Sequence, residues 1–346
     1  MKLFCLHPTR LPQMIIQLMN PSEPKPNIPN LSGVVRLTHL GVIRAAGVDA
    51  ATFLQGQLSQ DVLTIANDTA RLAAFCNAKG RMQASFVIFR RTPEPESQDN
   101  AGETDQFLMV CSADILAQTL KRLSQFIMRA KVKLSDASSE LLLYGVTGSA
   151  IDSVASNAVE TWAKTDMGRQ STVRLYPSVG VERALWCAPI GTPLPVGPDL
   201  ALALWHWLDV QSGVAMLTQP IFEAFVPQML NYESIGGVSF KKGCYPGQEV
   251  VARSQFRGTL KRRAYLLHGT LPSSGPAAVG QEVFHSSDPN QPCGLVAACA
   301  PNPTGGFDAI VSMQTSAAVG GTLTLGGPQG PELNLLALPY PLLEDI

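Results

Sequence analysis

Two textures of hydrophobic and polar positions divide this chain. From Leu31 to about residue 255, apolar and β-branched runs alternate with stretches of helical period. Residues 34–43 read as one strand or two. Asp49 is placed to cap a helix carrying Phe53, Leu54, Leu58 and Val62. Residues 71–76 and 81–90, joined by Asn77-Ala78-Lys79-Gly80, read as a hairpin with glycine at the end of its turn. Residues 107–111 form a strand, and Ser112 opens a helix whose Leu116, Leu120, Leu123 and Ile127 share one face. Strands are expected at 131–134, 141–146, 172–176 and 181–187, and helices at 150–161 and 200–210.

After residue 258 the pattern shortens. Apolar runs at 264–267, 281–284, 294–299, 308–313, 322–325 and 333–338 are separated by glycine and proline at intervals of roughly ten to fifteen residues. That spacing predicts a small antiparallel barrel. The fold class is therefore α+β, with a body over 31–255 in two α/β units (31–134 and 135–255) and a C-terminal β-barrel over 256–346. Residues 1–30 are proline-rich and read as a flexible leader; the apolar run 14–19 is too short for a secretory signal. Residues 92–105 read as a polar, acidic loop.

Composition narrows the function classes. Apolar residues make up 45% and charged residues 15%, values of a globular chain, and no run approaches the roughly 18 apolar residues a bilayer span needs. No membrane association is expected. The net charge of −1 gives no global attraction to nucleic acid. Locally the balance differs: Lys241, Lys242, Arg253, Arg257, Lys261, Arg262 and Arg263 face Glu249 alone. Such a segment suits an anionic ligand or an RNA backbone, or forms a solvated face. The seven cysteines are scattered with no C-x-x-C, so neither a disulfide framework nor a zinc or iron–sulfur site is expected, and a reducing cytoplasm fits. The five histidines are isolated, and no metal is assigned.

The densest chemistry lies at residues 236–263, where a short apolar strand is expected at 238–240. Cys244 follows Lys241 and Lys242 and precedes Pro246, with Gln248 and Glu249 in what reads as a first helical turn. A positive helix end and neighbouring lysines stabilise thiolate and lower a thiol's pKa. Gly243 and Gly247 let a ligand or the backbone approach closely. The alternative is a glycine-rich turn holding a buried, inert cysteine.

The block Lys242-Gly243-Cys244-Tyr245-Pro246-Gly247-Gln248-Glu249 resembles the K-G-C-[FY]-x-G-Q-E signature of the YgfZ family, folate-binding relatives of the glycine-cleavage T-protein. F-L-Q-G-Q-L-S-Q-D-V at 53–62, C-N-A-K-G-R at 76–81, I-F-E-A-F-V-P-Q-M-L-N at 221–231 and L-P-Y-P-L-L-E at 338–344 are similar to the same family. The resemblance implies a T-protein-like body around a central opening for tetrahydrofolate or a derivative. It also implies support of iron–sulfur enzymes or cluster-assembly proteins, and through them of tRNA modification. Within it, Cys244 is the reactive group and Lys242 its electrostatic partner. Trp205 stacks on folate, and Gly243, Tyr245, Gln248, Glu249 and Arg253 complete the cofactor site. A second tryptophan of some relatives is Leu40 here, which implies a rearranged slot. Two other readings stay open: a tetrahydrofolate-dependent aminomethyl or one-carbon transferase, and a tRNA-docking protein using 241–263. Against the transferase, residues 79–85 lack the carboxylate that T-proteins carry there, and general acid–base chemistry needs an ionisable group in reach.

Overall fold

A computed structural model of the chain describes residues 30–91, 106–155, 160–256, 260–270 and 275–343. The expected leader and the loop at 92–105 lie outside the described residues, apart from Asn30.

The apolar runs pair into three sheets whose strands are all antiparallel. The first has the order β3 (Ala70–Cys76), β4 (Met82–Arg91), β5 (Gln106–Ser112), β2 (Leu40–Ala46), β6 (Lys133–Asp136). β3 and β4 are buried on both faces at every position but Arg71, Arg90 and Arg91, and even Gln83 and Ser85 are enclosed. α1 (Ala50–Gln55) and α2 (Ala113–Ser124) accompany this sheet. The second sheet has the order β1 (Gly33–Arg36), β7 (Leu141–Thr147), β10 (Arg183–Pro189), β9 (Gln170–Arg174), β8 (Lys164–Met167). β1 pairs with β7 in the register Gly33↔Thr147, so the chain enters the second sheet, builds the first, and returns.

The third sheet is a closed barrel, in the order β11 (Arg262–Gly269), β14 (Phe307–Gln314), β13 (Asp288–Pro301), β12 (Glu282–His285), β15 (Leu323–Leu325), β16 (Glu332–Leu336). β16 closes it by pairing back onto β11. Leu267, Val283, Val296, Phe307 and Val311 fill the barrel, whereas Leu266, Ala297, Ala300 and Ile310 join the core shared with the two open sheets. Adjacent residues such as Leu266 and Leu267 serve opposite faces, as the two-residue period of a strand requires.

α3 (Leu202–Gln211) joins the body to the barrel. Its Trp207 Nε1 donates to Asp308 Oδ2 at 2.6 Å, and Gln211 Nε2 donates to the same oxygen at 2.6 Å. Asn302 Nδ2 donates at 2.8 Å, and His268 Nδ1 lies 2.7 Å from Oδ1. Asp308 is fully buried, and these partners replace the water that a carboxylate requires.

Several local expectations change. The helix expected from Asp49 through Val62 ends at Gln55; Leu58 and Val62 are buried, but Val62 starts a separate 3₁₀ turn. Asp49 caps no helix through its side chain; its carboxylate instead accepts the Lys131 N–H at 2.6 Å. Of the helix expected at 150–161, the described start is a 3₁₀ segment, Gly148–Ser153, and residues 156–159 lie outside the described residues. The strand expected at 238–240 does not form. Ser239 N–H bonds the Ser59 carbonyl at 2.9 Å, which ties that segment to a turn rather than to a sheet.

Candidate functional site

The four body segments that carry the family resemblance, distant in sequence, meet around the cysteine turn. Gly247 has φ +80° and lies against the β3–β4 turn; a Cβ there would come within 2.6 Å of Gly80 Cα and collide with the Asn77 carbonyl. Only glycine meets both demands. Gln248 then starts α4 (Gln248–Phe256), and Gln228 Nε2 donates to the Val251 carbonyl at 2.6 Å, which fixes that helix to the 221–231 segment. On the other side, Ser59 Oγ donates to the Gly237 carbonyl at 2.7 Å and Gln60 Nε2 to the Gly236 carbonyl at 2.6 Å.

Lys242 is the centre of this packing. Its side chain is buried, and Nζ donates to the carbonyls of Gln55 (2.5 Å), Leu58 (2.5 Å) and Gln60 (3.0 Å). Burial pushes the ammonium down to about 8, opposed by the nearby Asp61. Three carbonyls match its three N–H donors, so it stays charged at neutral pH. Nζ also lies 5.1 Å from the centroid of the Tyr245 ring, itself buried with its phenol pushed up by desolvation. The ammonium was expected as the partner of Cys244; all three of its donors are committed to the 55–60 turn.

Cys244 is exposed, as are Gly243, Glu249 and Arg253. The other described cysteines are shielded. Burial pushes Cys76, Cys111 and Cys187 up to about 12, the half-buried Cys299 up to about 11, and Cys293 upward. Gln248 is half-buried, and Arg253 pairs with Glu249 one turn away at 2.6 Å. The basic segment does not form one surface. Lys242 is enclosed, and Arg263 is buried against Glu233 at 2.6 Å. Arg262 donates to the Cys293 carbonyl, and Arg257 lies outside the described residues.

Trp205 lies elsewhere, on the wall of a central cavity of about 480 Å³ bounded by all three sheets. Its ring packs on Gly145, where a Cβ would come within 2.7 Å of Cδ2. The Arg183 guanidinium stands 4.6 Å from the ring centroid and pairs with Asp209. Leu40 lies on the same wall. A second, more open hollow of about 530 Å³ carries Arg71 and Lys241. Trp162 and Tyr176 border both hollows, their rings edge to face at 5.9 Å. Neither lining includes Cys244, Lys242, Gly243, Tyr245, Gln248, Glu249 or Arg253. The structure thus gathers the signature into one place and Trp205 into another.

Arg183, Asp209, His39, His206, Trp162 and Tyr176 were missed from the sequence. Asp209 had a usable signal, since it follows Trp205 by four residues on one helix face; Arg183 and His39 had none. Glu223 was also missed. It brings a carboxylate to the hairpin whose own strand has none: Gln83 Nε2 donates to its Oε1 at 2.7 Å, and hydrogen bonds from Asn77 and then Gln83 hold its carboxyl below the usual range. Glu223 is exposed and does not line the central cavity.

No family model matches the chain. It is 29% identical over 321 residues to the tRNA-modifying protein YgfZ of Photorhabdus laumondii, covering 90% of this chain and 93% of that one. It is 30% identical over 256 residues to the tRNA-modifying protein YgfZ of Vibrio vulnificus, covering 72% and 74%. In three dimensions it is similar to the glycine cleavage system aminomethyltransferase T of Bartonella henselae, with a TM-score of 0.61 at 16% identity over 91% of this chain and 87% of that one. That likeness assigns the T-protein fold: two open sheets and a closed barrel around a central cavity. With identity at this level over three-quarters of a relative, the chain belongs to the YgfZ family.

Proposed function

We propose that this protein binds a reduced folate in the central cavity and supports tRNA modification by way of iron–sulfur enzymes, with Cys244 as its reactive group. The observation that carries the folate reading is the cavity bounded by all three sheets, with Trp205, Trp162 and Tyr176 as aromatic walls. A flat heteroaromatic ring gains from such walls, and Arg183 and Asp209 offer a donor and an acceptor beside it. The relatives' name, tRNA-modifying protein, supports the cellular role. Cys244 serves at a separate surface, since it does not line the folate cavity.

Titrating the purified chain with tetrahydrofolate while following tryptophan fluorescence tests the first half. A saturable change that Trp205→Ala weakens supports it, and no saturable change overturns it. Complementation tests the second half: in a cell lacking its own family member, the wild-type chain restores thiolated tRNA and Cys244→Ala does not.

A further inference from the structure

His39, on the turn before β2, and His206, on α3, bring their rings to 4.4 Å between centroids. Asp209 lies three residues beyond His206 on the same helix, and the ligating atoms of the three side chains all lie within 4.8 Å of one another. All three border the central cavity. His39 Nδ1 is buried with no hydrogen-bond partner, an arrangement that costs stability unless something else engages it. Asp209 gives Oδ1 to Arg183, and its second oxygen remains for another cation.

We propose that His39, His206 and Asp209 form a site for a divalent first-row transition metal of the zinc or ferrous class, open on the cavity side. Two imidazoles and one carboxylate are the donor set that such borderline ions prefer, and three protein ligands leave positions for a ligand's oxygen or nitrogen. The cation competing for the site is Arg183, which the carboxylate accommodates through its other oxygen. The isolated positions of the five histidines along the sequence gave no sign of this, because the pairing is made by the fold. The proposal is independent of what organic molecule occupies the cavity.

The test is isothermal titration of the full chain with Zn²⁺ after chelator treatment, in a Cys244→Ala background that removes the exposed thiol as a competing ligand. Co²⁺ replaces Zn²⁺ in a parallel visible-absorption experiment. One equivalent of Zn²⁺ per chain is expected, with Co²⁺ giving the intense visible bands of a low-coordinate nitrogen–oxygen site. His206→Gln and His39→Gln should each weaken binding at least tenfold. Absence of stoichiometric Zn²⁺ binding overturns the site, as does unchanged affinity in His39→Gln. Should His206→Gln fail to fold, His39→Gln, which alters a turn residue rather than α3, decides alone. Tetrahydrofolate binding measured with and without the chelator separates this failure from failure of the folate reading.

Discussion

Gly247 and Gly80 meet across the seam between the cysteine-bearing turn and the β3–β4 hairpin, with room for a Cβ on neither without displacement. A methyl group at Gly247 would lie 2.6 Å from Gly80 Cα, and the backbone there, at φ +80°, disfavours any side chain. Gly243, next to Cys244 on the exposed side of the same turn, has open space around it and no positive φ. Gly247→Ala is therefore expected to destabilise the chain by about 2–4 kcal/mol, from backbone strain plus collision, while Gly243→Ala is nearly neutral. Urea unfolding of the two variants checks this, and equal effects would refute the seam.

Cys244 should be alkylated first among the cysteines at neutral pH. The five other described cysteines are buried or half-buried, with thiols pushed above their ordinary range. A pH series of iodoacetamide labelling, read residue by residue by mass spectrometry, gives the order. Cys244→Ala should unfold at the wild-type temperature, because an exposed sulfur fills no core. Labelling of Cys76 or Cys187 ahead of Cys244 would contradict the structure.

Lys242 offers a sharper contrast between two roles. Replacing it with methionine keeps the stem but leaves three carbonyls without their donor, and a loss of roughly 3 kcal/mol is expected. If its charge also activates Cys244, Lys242→Met slows alkylation of the folded chain; if its role is confined to the 55–60 turn, the rate is unchanged while stability falls. Measuring both on one preparation, well below the unfolding midpoint, separates them.

For Trp205, the expected effect on tetrahydrofolate is a weakening of roughly 1–3 kcal/mol on truncation to alanine, the scale of ring stacking. The ring is 1% exposed and packs on Gly145, so the same change also removes core contacts on the order of 3–5 kcal/mol. Binding must be measured at a temperature where circular dichroism shows the variant folded. Unchanged affinity under that condition would make Trp205 a core residue only.

Acid should act through His39. Its folded pKa of about 4 lies below the ordinary value, so the unfolded chain binds a proton first as the pH falls. Stability is present in full above about pH 6.5 and declines as the pH drops toward about 4. His39→Gln should flatten this part of the profile of unfolding temperature against pH; an unaltered slope would remove His39 as a cause.

The barrel was legible from the sequence because each of its strands is bounded by glycine or proline, and all six apolar runs became β11 to β16. The hairpin β3–β4 was legible for the same reason. The 150–161 helix was misread because helical spacing there is short and Gly148 turns the backbone to φ +58°, giving one 3₁₀ segment. β8, whose polar Lys164–Met167 has no apolar signature, was not visible at all. At the site, the signature announced Cys244 and the buried Lys242, since both sit in one contiguous block. The cavity could not be read in the same way. Its polar residues, His39, Arg183 and Asp209, come from three elements, and nothing local in the sequence ties them together.

The pairing of β1 with β7 also governs the order in which the chain can take shape. During synthesis β1 emerges before the other described strands, yet its strand partner among the described residues is more than a hundred residues away, and the whole first sheet, β2 through β6, lies between them. That sheet can close from its own residues while β1 waits with its hydrogen-bonding edge unsatisfied. Closing β1 onto β7 then costs the entropy of a long loop, reduced by however compact the first sheet has already become. Slow steps and early aggregation should therefore concentrate at the second sheet, whose first strand waits longest for its partner.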